Sequence, residues 1–252
     1  MDYLNKLENE SIYILREAYS NIKNIAMLWS LGKDSNVMVW LAFKAFFGKI
    51  PFPLIHVDTK KKFKEMYDFR DKYEKKWKIN LIKGLCPGIN SIDSSLPPAA
   101  RSAARKTEGL KKIIHEHKLK AVIAGIRRDE QGTRAKERFF SPRDEEGTWD
   151  VKNQPPEFWN HFSAHYPNNV HLRIHPLLSW TEIDIWRYIK RENIPVVDLY
   201  FAKNGKRYRS LGDKDITNPM SSEASNVEEI ISELEKSTIS ERSGRAMDHE
   251  EE

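Results

Sequence analysis

Three groups of polar residues in this sequence have residue types and positions that suit ligand binding. The first group is the loop Ser30-Leu31-Gly32-Lys33-Asp34-Ser35. It follows a short apolar run and precedes a segment of helical periodicity. A glycine there lets the backbone approach a ligand closely, and a helix start offers N–H groups and a positive dipole end to an anion. Two hydroxyl groups and one ammonium group complete a set that suits a pyrophosphate.

This loop taken alone leaves two interpretations open. Asp34 is suited either to holding Mg²⁺ or to capping the helix. The GxxxxGK[ST] spacing of a Walker A loop is absent. An ordinary turn between a strand and a helix, with a Ser or Asp cap, would have the same composition.

The second and third groups also follow apolar runs. The second is His56-Val57-Asp58-Thr59, in which Asp58 either faces a ligand or caps the next helix. The third is rich in arginine, whose planar fork matches oxyanions. It comprises Gly125, Arg127, Arg128, Arg134, Lys136 and Arg138, with Asp129, Glu130 and Glu137 among them. A charged surface loop with internal salt bridges is the alternative interpretation of this third group.

Alternating apolar runs and helical periodicity predict an α/β fold with a mostly parallel, five-stranded sheet and helices on both faces. The predicted strands are 25–29, 52–57, 79–83, 121–124 and 170–175, and the predicted helices are 3–20, 37–47, 63–77, 110–117, 181–193 and 227–236. Residues 84–106 are predicted to be a loop, and residues 126–168 show little periodicity. Because parallel sheets bind ligands at the carboxyl ends of their strands, the three groups should share one edge.

The charge distribution favours an anionic ligand. The chain has 252 residues and a net charge of +5, but residues 222–252 carry 10 acids and 3 bases, which leaves +12 on the remainder. So basic a body suits a nucleotide, an oxyanion or a nucleic acid. No apolar run is long enough to span a membrane, the first residues do not resemble a signal peptide, and Cys86 is the lone cysteine. We therefore expect a cytoplasmic protein with no membrane partner.

The loop resembles the SGGKDS signature of the PP-loop ATP pyrophosphatases, with Leu31 in place of the first glycine. The chain as a whole is similar to one branch, the small ATP-binding subunits of bacterial sulfate adenylyltransferases. Blocks similar to that family stay in order along nearly the whole chain, at Leu7–Glu17, Ser30–Met38, Pro51–Thr59, Phe63–Asp71, Lys106–Lys111, Gly125–Arg138, Asp150–Trp159, Pro176–Ile189 and Ser237–Asp248.

This resemblance implies a fold of the adenine nucleotide alpha-hydrolase (HUP/PP-loop) type over residues 1–200, followed by a C-terminal extension over 201–252 with an acidic tail. It implies ATP and Mg²⁺ as ligands, sulfate as the substrate, and adenylylsulfate and pyrophosphate as the products. Formation of this mixed anhydride is strongly uphill, so the family couples it to a separate GTPase large subunit. Nucleic acid is not expected as a partner under this interpretation.

The resemblance also assigns site residues. The charge-stabilising catalytic residues are expected to be Lys33, Arg127 and Arg128, and the metal ligands Asp34 or Asp58. The nucleotide-binding residues are expected to be Ser30, Leu31, Gly32, Lys33, Asp34, Ser35, His56, Val57, Asp58, Gly125, Arg134, Arg242 and Arg245. The last two belong to a basic island in the acidic tail that we expect to close on the phosphates.

The chain departs from the family at three positions: Leu31 and Lys60 replace glycines, and Asp213 replaces a frequent cysteine. Lys60 opens a run of three lysines, at least two of which we expect to be solvated. The related reductases require a nucleophilic cysteine near the C-terminus, and residues 87–252 contain none, so that chemistry is not expected. Two other hypotheses stay open, a PP-loop adenylyltransferase with another acceptor such as a nucleic acid, and a non-catalytic nucleotide-binding regulatory subunit.

Overall fold

A six-stranded sheet lies at the centre of the protein, in a computed structural model that describes residues 2–144, 147–154, 156–157, 170–237 and 241. Its strands are β1 Ile25–Leu28, β2 Leu54–Asp58, β3 Leu81–Leu85, β4 Ala121–Ile123, β5 Phe140–Arg143 and β6 His171–Ile174, in the order β3-β2-β1-β4-β6-β5. All neighbours are parallel except β5, which runs antiparallel to β6 at the edge. The mostly parallel α/β fold is thus confirmed.

Helices cover both faces of this sheet, as the buried clusters show. The helices are α1 Tyr3–Asn21, α2 Lys33–Ala45, α3 Lys64–Lys76, α4 Pro98–Glu116, α5 Glu182–Glu192 and α6 Val227–Lys236. The larger cluster joins α1, α2, α3 and α5 to one face, whereas a smaller one places Ile113 of α4 against Ala26, Ile55 and Val122 on the other. Apolar residues on both faces are what a buried parallel strand requires.

The C-terminal extension is joined to the sheet domain by backbone hydrogen bonds and helix packing. Its short strands β7 Lys206–Arg207 and β8 Met220–Ser221 form an antiparallel pair. The N–H of Lys214 donates to the carbonyl of Lys61 at 2.8 Å, and α6 packs against α5. In the described residues, no helix combines the length and apolarity that crossing a bilayer demands.

The structure corrects the predicted strand count and the predicted loop over 84–106. The sixth strand, β5, lies in the stretch without periodicity because it is short and contains Pro142, which an edge strand tolerates. Helix α4 begins at Pro98, well before the predicted start at Leu110. The adjacent prolines suggest a loop, but proline is well suited to the first helical position, and the alanines that follow are strong helix formers.

Candidate active site

A cavity of about 480 Å³ opens where β1, β2 and β4 end, which is the shared edge that the sequence predicts. Its lining falls into two parts. The apolar part includes Leu28, Ile55, Val57, Leu110, Ala124, Ile126 and Leu211, and the polar part includes Ser30, Gly32, Asp34, Ser35, Lys62, Lys106, Glu130, Arg134, Arg173, Tyr200 and Glu241. Such a lining can hold both a flat apolar heterocycle and an anion.

The loop after β1 has a left-handed residue at its second position. Leu31 has φ +71°, a left-handed conformation that glycine adopts at little cost and leucine at about 1–2 kcal/mol. Its side chain is fully buried in the larger core cluster, and burial of a leucine contributes about 2 kcal/mol in compensation. The loop therefore keeps the glycine-like backbone with a side chain that anchors it to the core.

Helix α2 starts inside this loop, at Lys33, earlier than the predicted start at Val37. The Lys33 N–H donates to the hydroxyl oxygen of Tyr200 at 2.9 Å. The Ser35 hydroxyl donates to the Gly32 carbonyl at 2.9 Å, and the Ser30 hydroxyl to Ser35 Oγ at 3.2 Å. Tyr200 thus accepts a hydrogen bond from one N–H group at the helix start. From the sequence alone, the N–H groups there are expected to bind the anion.

Two fully buried cations, Lys33 and Arg127, lie directly behind the polar end of the cavity. Lys33 pairs with Asp34 at 3.3 Å and with Glu241, and Arg127 pairs with Asp129 at 2.9 Å, with Asp34 and with Glu241. Burial alone would lower the pKa of Arg127, but the carboxylates of Glu241 and Asp129 raise it. Asp34 and Glu241 line the cavity, so these carboxylates separate both cations from it.

Glu241 is the described residue of the tail that reaches the site. Burial would raise the pKa of its carboxyl group, but Lys33 and Arg127 hold that pKa well below its usual range. Glu241 is therefore ionised, and its carboxylate pairs with the two cations that the sequence resemblance assigns to charge stabilisation. Arg242 and Arg245, which follow it in the chain, lie outside the described residues.

The arginine-rich segment after β4 places its predicted residues differently. Arg134 lines the cavity and pairs with Glu130. Arg128 lies outside the lining, where its guanidinium covers the Phe139 ring at 5.3 Å and donates to the Glu137 carbonyl at 3.3 Å. Gly125 lines the cavity, and a Cβ there would lie 3.1 Å from Met38 Cγ, so glycine permits the close approach to α2.

At the end of β2 the structure brings only one predicted residue into the lining. Val57 lines the cavity, whereas His56 and Asp58 do not. His56 is fully buried, its pKa is lowered to about 4 by burial and by Lys62, and its Nδ1 lies 3.1 Å from the Trp29 carbonyl oxygen. Asp58 Oδ1 accepts the Lys60 N–H and the Tyr67 hydroxyl, both at 2.8 Å.

Lys60 has φ +58°, a left-handed backbone conformation that glycine adopts at little cost. Lys60 therefore takes up the conformation for which a glycine at this position would be suited. Lys60 is exposed and Lys61 pairs with Asp215 at the surface, which agrees with two solvated lysines. The third lysine, Lys62, has a buried side chain that reaches the cavity.

Asp213 is the counter-ion of two cavity lysines. It is fully buried, pairs with Lys106 at 3.0 Å and Lys62 at 3.7 Å, and accepts hydroxyl hydrogen bonds from Ser102 and Thr59. Burial would raise the Asp213 pKa, but Lys106 and the other partners lower it to about 2. Burial and Lys106 lower the Lys62 pKa to about 8. The departure from the family cysteine therefore adds a carboxylate with a defined electrostatic role.

Asp34 is the proposed magnesium ligand that lines the cavity, whereas Asp58 is engaged elsewhere. Across the described ranges there is no cluster of three or more His, Cys, Asp or Glu side chains that would form a metal cage. Mg²⁺ usually takes one or two carboxylates together with substrate phosphates and water, so a single carboxylate beside a phosphate loop fits it.

Sequence reasoning missed several cavity residues, among them Lys106, Arg173, Tyr200 and Glu241. Arg173 stands at a polar position of an alternating strand pattern, so the sequence alone did not mark it as a cavity residue. Tyr200 had no sequence signal either, since its partner Lys33 lies far away in the chain.

Comparison with known proteins identifies the family. Residues 24–219 match the family model of the phosphoadenosine phosphosulfate reductase domain. A sulfate adenylyltransferase subunit 2 from Aeromonas salmonicida (strain A449) is 42% identical, over 100% of this chain and 92% of that protein. This chain belongs to the sulfate adenylyltransferase subunit 2 family. As a member of it the chain is a nucleotidyltransferase, which confirms the enzyme class expected from the sequence blocks.

Solved structures with lower sequence identity to this chain share its fold. The phosphoadenylyl-sulfate reductase of Candida auris superposes with a TM-score of 0.58 at 18% identity, over 86% of this chain and 98% of that one. The FMN adenylyltransferase of Candida glabrata, in complex with FMN and the ATP analogue AMPCPP, gives a TM-score of 0.57 at 20% identity, over 86% of this chain and 65% of that one. Both confirm the predicted fold class.

Proposed function

We propose that this chain is the ATP-binding catalytic subunit of a sulfate adenylyltransferase, which converts ATP and sulfate to adenylylsulfate and pyrophosphate. The observation that carries the proposal is the placement of a phosphate-type loop, 30–35, with Lys33 and Arg127 buried behind it, beside a cavity that also has apolar lining residues from β1, β2 and α4. The names of its relatives agree with this activity.

In this proposal the apolar wall takes the adenine and the loop takes the β- and γ-phosphates. A sulfate oxygen forms a bond to the α-phosphorus, and the bond from that phosphorus to the bridging oxygen of the pyrophosphate breaks. No proton has to be removed from sulfate, so the chain needs no general base. Its residues position the two anions and neutralise charge on the leaving pyrophosphate, which is the task of Lys33 and Arg127.

The remaining proposed site residues act from defined places. Arg134 adds a cation to the lining, and Arg128 supports the arginine-rich segment from behind through the Glu137 carbonyl. When Mg²⁺ is bound, it neutralises phosphate charge, and Asp34 is the side chain that would hold it. Arg242 and Arg245 follow Glu241 within about 14 Å of extended chain, so they are within reach of the phosphate end.

The proposal includes a second subunit. Relatives carry the name subunit 2, which states that the enzyme has another subunit. Because the mixed anhydride of sulfate and phosphate forms uphill, we propose that this partner is a GTPase whose hydrolysis of GTP drives the reaction.

Pyrophosphate release from Mg·ATP tests the proposal, measured with and without sulfate and with and without a GTPase subunit. We expect release that depends on sulfate and rises with GTP. Lys33→Met should lower it about 10²- to 10³-fold, the usual effect of removing one group that stabilises developing charge. Lys61→Met is the matched control, because that lysine is partly exposed and pairs with Asp215 outside the cavity, and it should change little. ATP binding with no sulfate-dependent release would instead support a regulatory subunit or another acceptor.

A further inference from the structure

Arg173 projects from the sheet into the cavity. It lies in β6 between Leu172 and Ile174, which are buried in the larger core cluster on one face of the sheet. Because side chains alternate along a strand, Arg173 faces the opposite side, and it is part of the cavity lining. Its neighbours across the sheet are Val122 of β4 and Ser141 of β5.

The Arg173 guanidinium has no hydrogen bond or ion pair with any residue that the structure describes. The other cations of the lining do have carboxylate partners: Lys62 and Lys106 pair with Asp213, and Arg134 with Glu130. Near Arg173, the carboxylate of Glu137 is already held by Arg143 at 2.6 Å. Arg173 is thus a lining cation without a counter-ion from the described chain.

Arg173 is also held in a place that disfavours its charge. Burial and the neighbouring guanidinium of Arg143 lower its pKa to about 10, with Glu137 offsetting only part of this. A partly buried charge without a partner is costly to the folded protein, and an incoming anion would remove that cost. Such an arrangement is expected of a ligand-binding residue and is unfavourable for a purely structural one.

The position of Arg173 distinguishes it from the nucleotide end of the site. Strand β6 is separated by β4 from β1, which carries the phosphate loop, so the Arg173 backbone lies about 10 Å to the side of β1. The apolar wall lies in the other direction, on β1, β2 and α4. An oxyanion held by Arg173 would therefore lie beside the nucleotide, on the side away from its base.

We propose that Arg173 binds the acceptor oxyanion, a tetrahedral dianion such as sulfate, and so determines where the acceptor lies during adenylyl transfer. This inference rests on the proposed function, since it assigns the acceptor half of that reaction. The planar guanidinium offers two parallel donors to two oxygens of a tetrahedral anion, which fixes orientation as well as position.

Substitution of Arg173 by methionine and by lysine separates acceptor binding from nucleotide binding. Arg173→Met should raise the KM for sulfate about 10- to 100-fold, the range expected for losing a charged, bidentate contact. In Arg173→Met the Kd of α,β-methylene-ATP should stay within about twofold of the wild-type value, because the nucleotide does not contact Arg173 in this proposal. Arg173→Lys should recover only part of the sulfate KM, because an ammonium lacks the fork. Arg187→Met removes an exposed arginine on α5 as the control and should change neither value.

Thermal melting supplies a readout that a structural role would move in the opposite direction. Without ligand, Arg173→Met should melt at or above the wild-type temperature, because no partner is lost and a partly buried charge is removed. The rise in melting temperature that sulfate gives to the wild-type protein in the presence of α,β-methylene-ATP should disappear.

Two results would overturn the inference. An unchanged KM for sulfate would place the acceptor elsewhere, and a weakened nucleotide Kd with unchanged sulfate KM would assign Arg173 to the nucleotide phosphates. If the wild-type protein with its GTPase partner released no pyrophosphate with sulfate, the proposed function itself would fail. The sulfate-induced melting shift of wild type against Arg173→Met would then decide the role of Arg173 independently of turnover.

Discussion

At the scale of single residues, the site is a balance of buried charges. Lys33 and Arg127 share Asp34 and Glu241, and Asp213 serves Lys62 and Lys106. Fully buried charges of this kind are tolerated only while each is paired. Removing one of them is costly mainly because its partner is left as a buried charge without a counter-ion. A ligand anion must therefore either replace one of these carboxylates or use a cation that has none.

Glu241 is the carboxylate that a phosphate would replace. We predict that Glu241→Gln tightens binding of α,β-methylene-ATP about tenfold, equivalent to about 1.4 kcal/mol, because Lys33 and Arg127 no longer have to release a carboxylate. Calorimetric titration measures this, with Glu235→Gln on the outer surface as the control. Weaker nucleotide binding in Glu241→Gln would show that the carboxylate supports the bound state.

The basic island next to Glu241 gives an opposite prediction. If Arg242 and Arg245 close on the phosphates, replacing both with alanine should raise the KM for ATP. Truncation after Lys236 removes Glu241 together with these arginines, so the double variant is the one that isolates them. Steady-state kinetics give the KM for ATP of the double variant and of Glu241→Gln. Opposite changes in the two would separate the effect of the competing carboxylate from that of the arginines. An unchanged KM in the double variant would remove these residues from the site.

Asp213 should make stability depend on pH in acid. Its pKa falls from 3.8 to about 2 in the folded protein. The unfolded chain binds the proton first, so the stabilisation is fully present above about pH 4 and is lost as pH falls through 2, a contribution of about 2 kcal/mol. Urea unfolding of wild type and Asp213→Asn between pH 2 and 5 should give a difference that shrinks with acid. A constant difference across that range would contradict this role.

At the scale of elements, the start of α5 holds the segment that contains Arg127 in place. Thr181 and Asp184 form a capping box at its N-terminus. Asp129 adds a second link, because its Oδ2 accepts the Glu182 N–H at 2.7 Å while its Oδ1 accepts Arg127 Nε at 2.9 Å. One carboxylate thus fixes an arginine of the site against a helix of the scaffold.

Two variants separate these roles of the α5 start. Asp129→Ala should lower kcat about tenfold, or about 1.4 kcal/mol, because Arg127 loses the partner that orients it. Thr181→Ala should lower the free energy of unfolding by about 1 kcal/mol through the lost cap, with kcat preserved. Steady-state kinetics and urea unfolding of both variants test this, and equal loss of kcat in the two would mean that the helix end acts as a whole.

The sequence patterns predicted the elements that periodicity determines, and missed those set by long-range contacts. The parallel strands and the shared edge follow from apolar runs and their order. Strand β5 was missed because it is defined by its pairing with β6. The start of α4 was missed because Pro98, its first residue, suggests the end of a helix when the sequence is considered alone. Within the site, loop 30–35 was predictable from local chemistry, whereas Tyr200 and Asp213 come from distant parts of the chain. At position 60 the sequence has a lysine in place of a glycine. The backbone there is left-handed all the same, so Lys60 adopts the conformation that glycine favours.

At the scale of the whole molecule, a basic body and an acidic tail meet at the site. The body carries +12 and residues 222–252 carry −7, and Glu241 of that tail already contacts the buried cations. Complementary charge of this kind attracts anionic substrates and also allows the tail to compete with them. The free energy of the uphill reaction must come from outside this chain, which is the task we assign to the GTPase subunit.

The most direct test of the central claim uses sulfate labelled with ¹⁸O at all four oxygens. The chain is incubated with Mg·ATP, GTP, a GTPase subunit and pyrophosphatase, and the nucleotide products are analysed by mass spectrometry. We predict adenylylsulfate that retains all four labelled oxygens, because a sulfate oxygen attacks the α-phosphorus. Unlabelled AMP formed at the same rate without sulfate, or no nucleotide product at all, would contradict the claim.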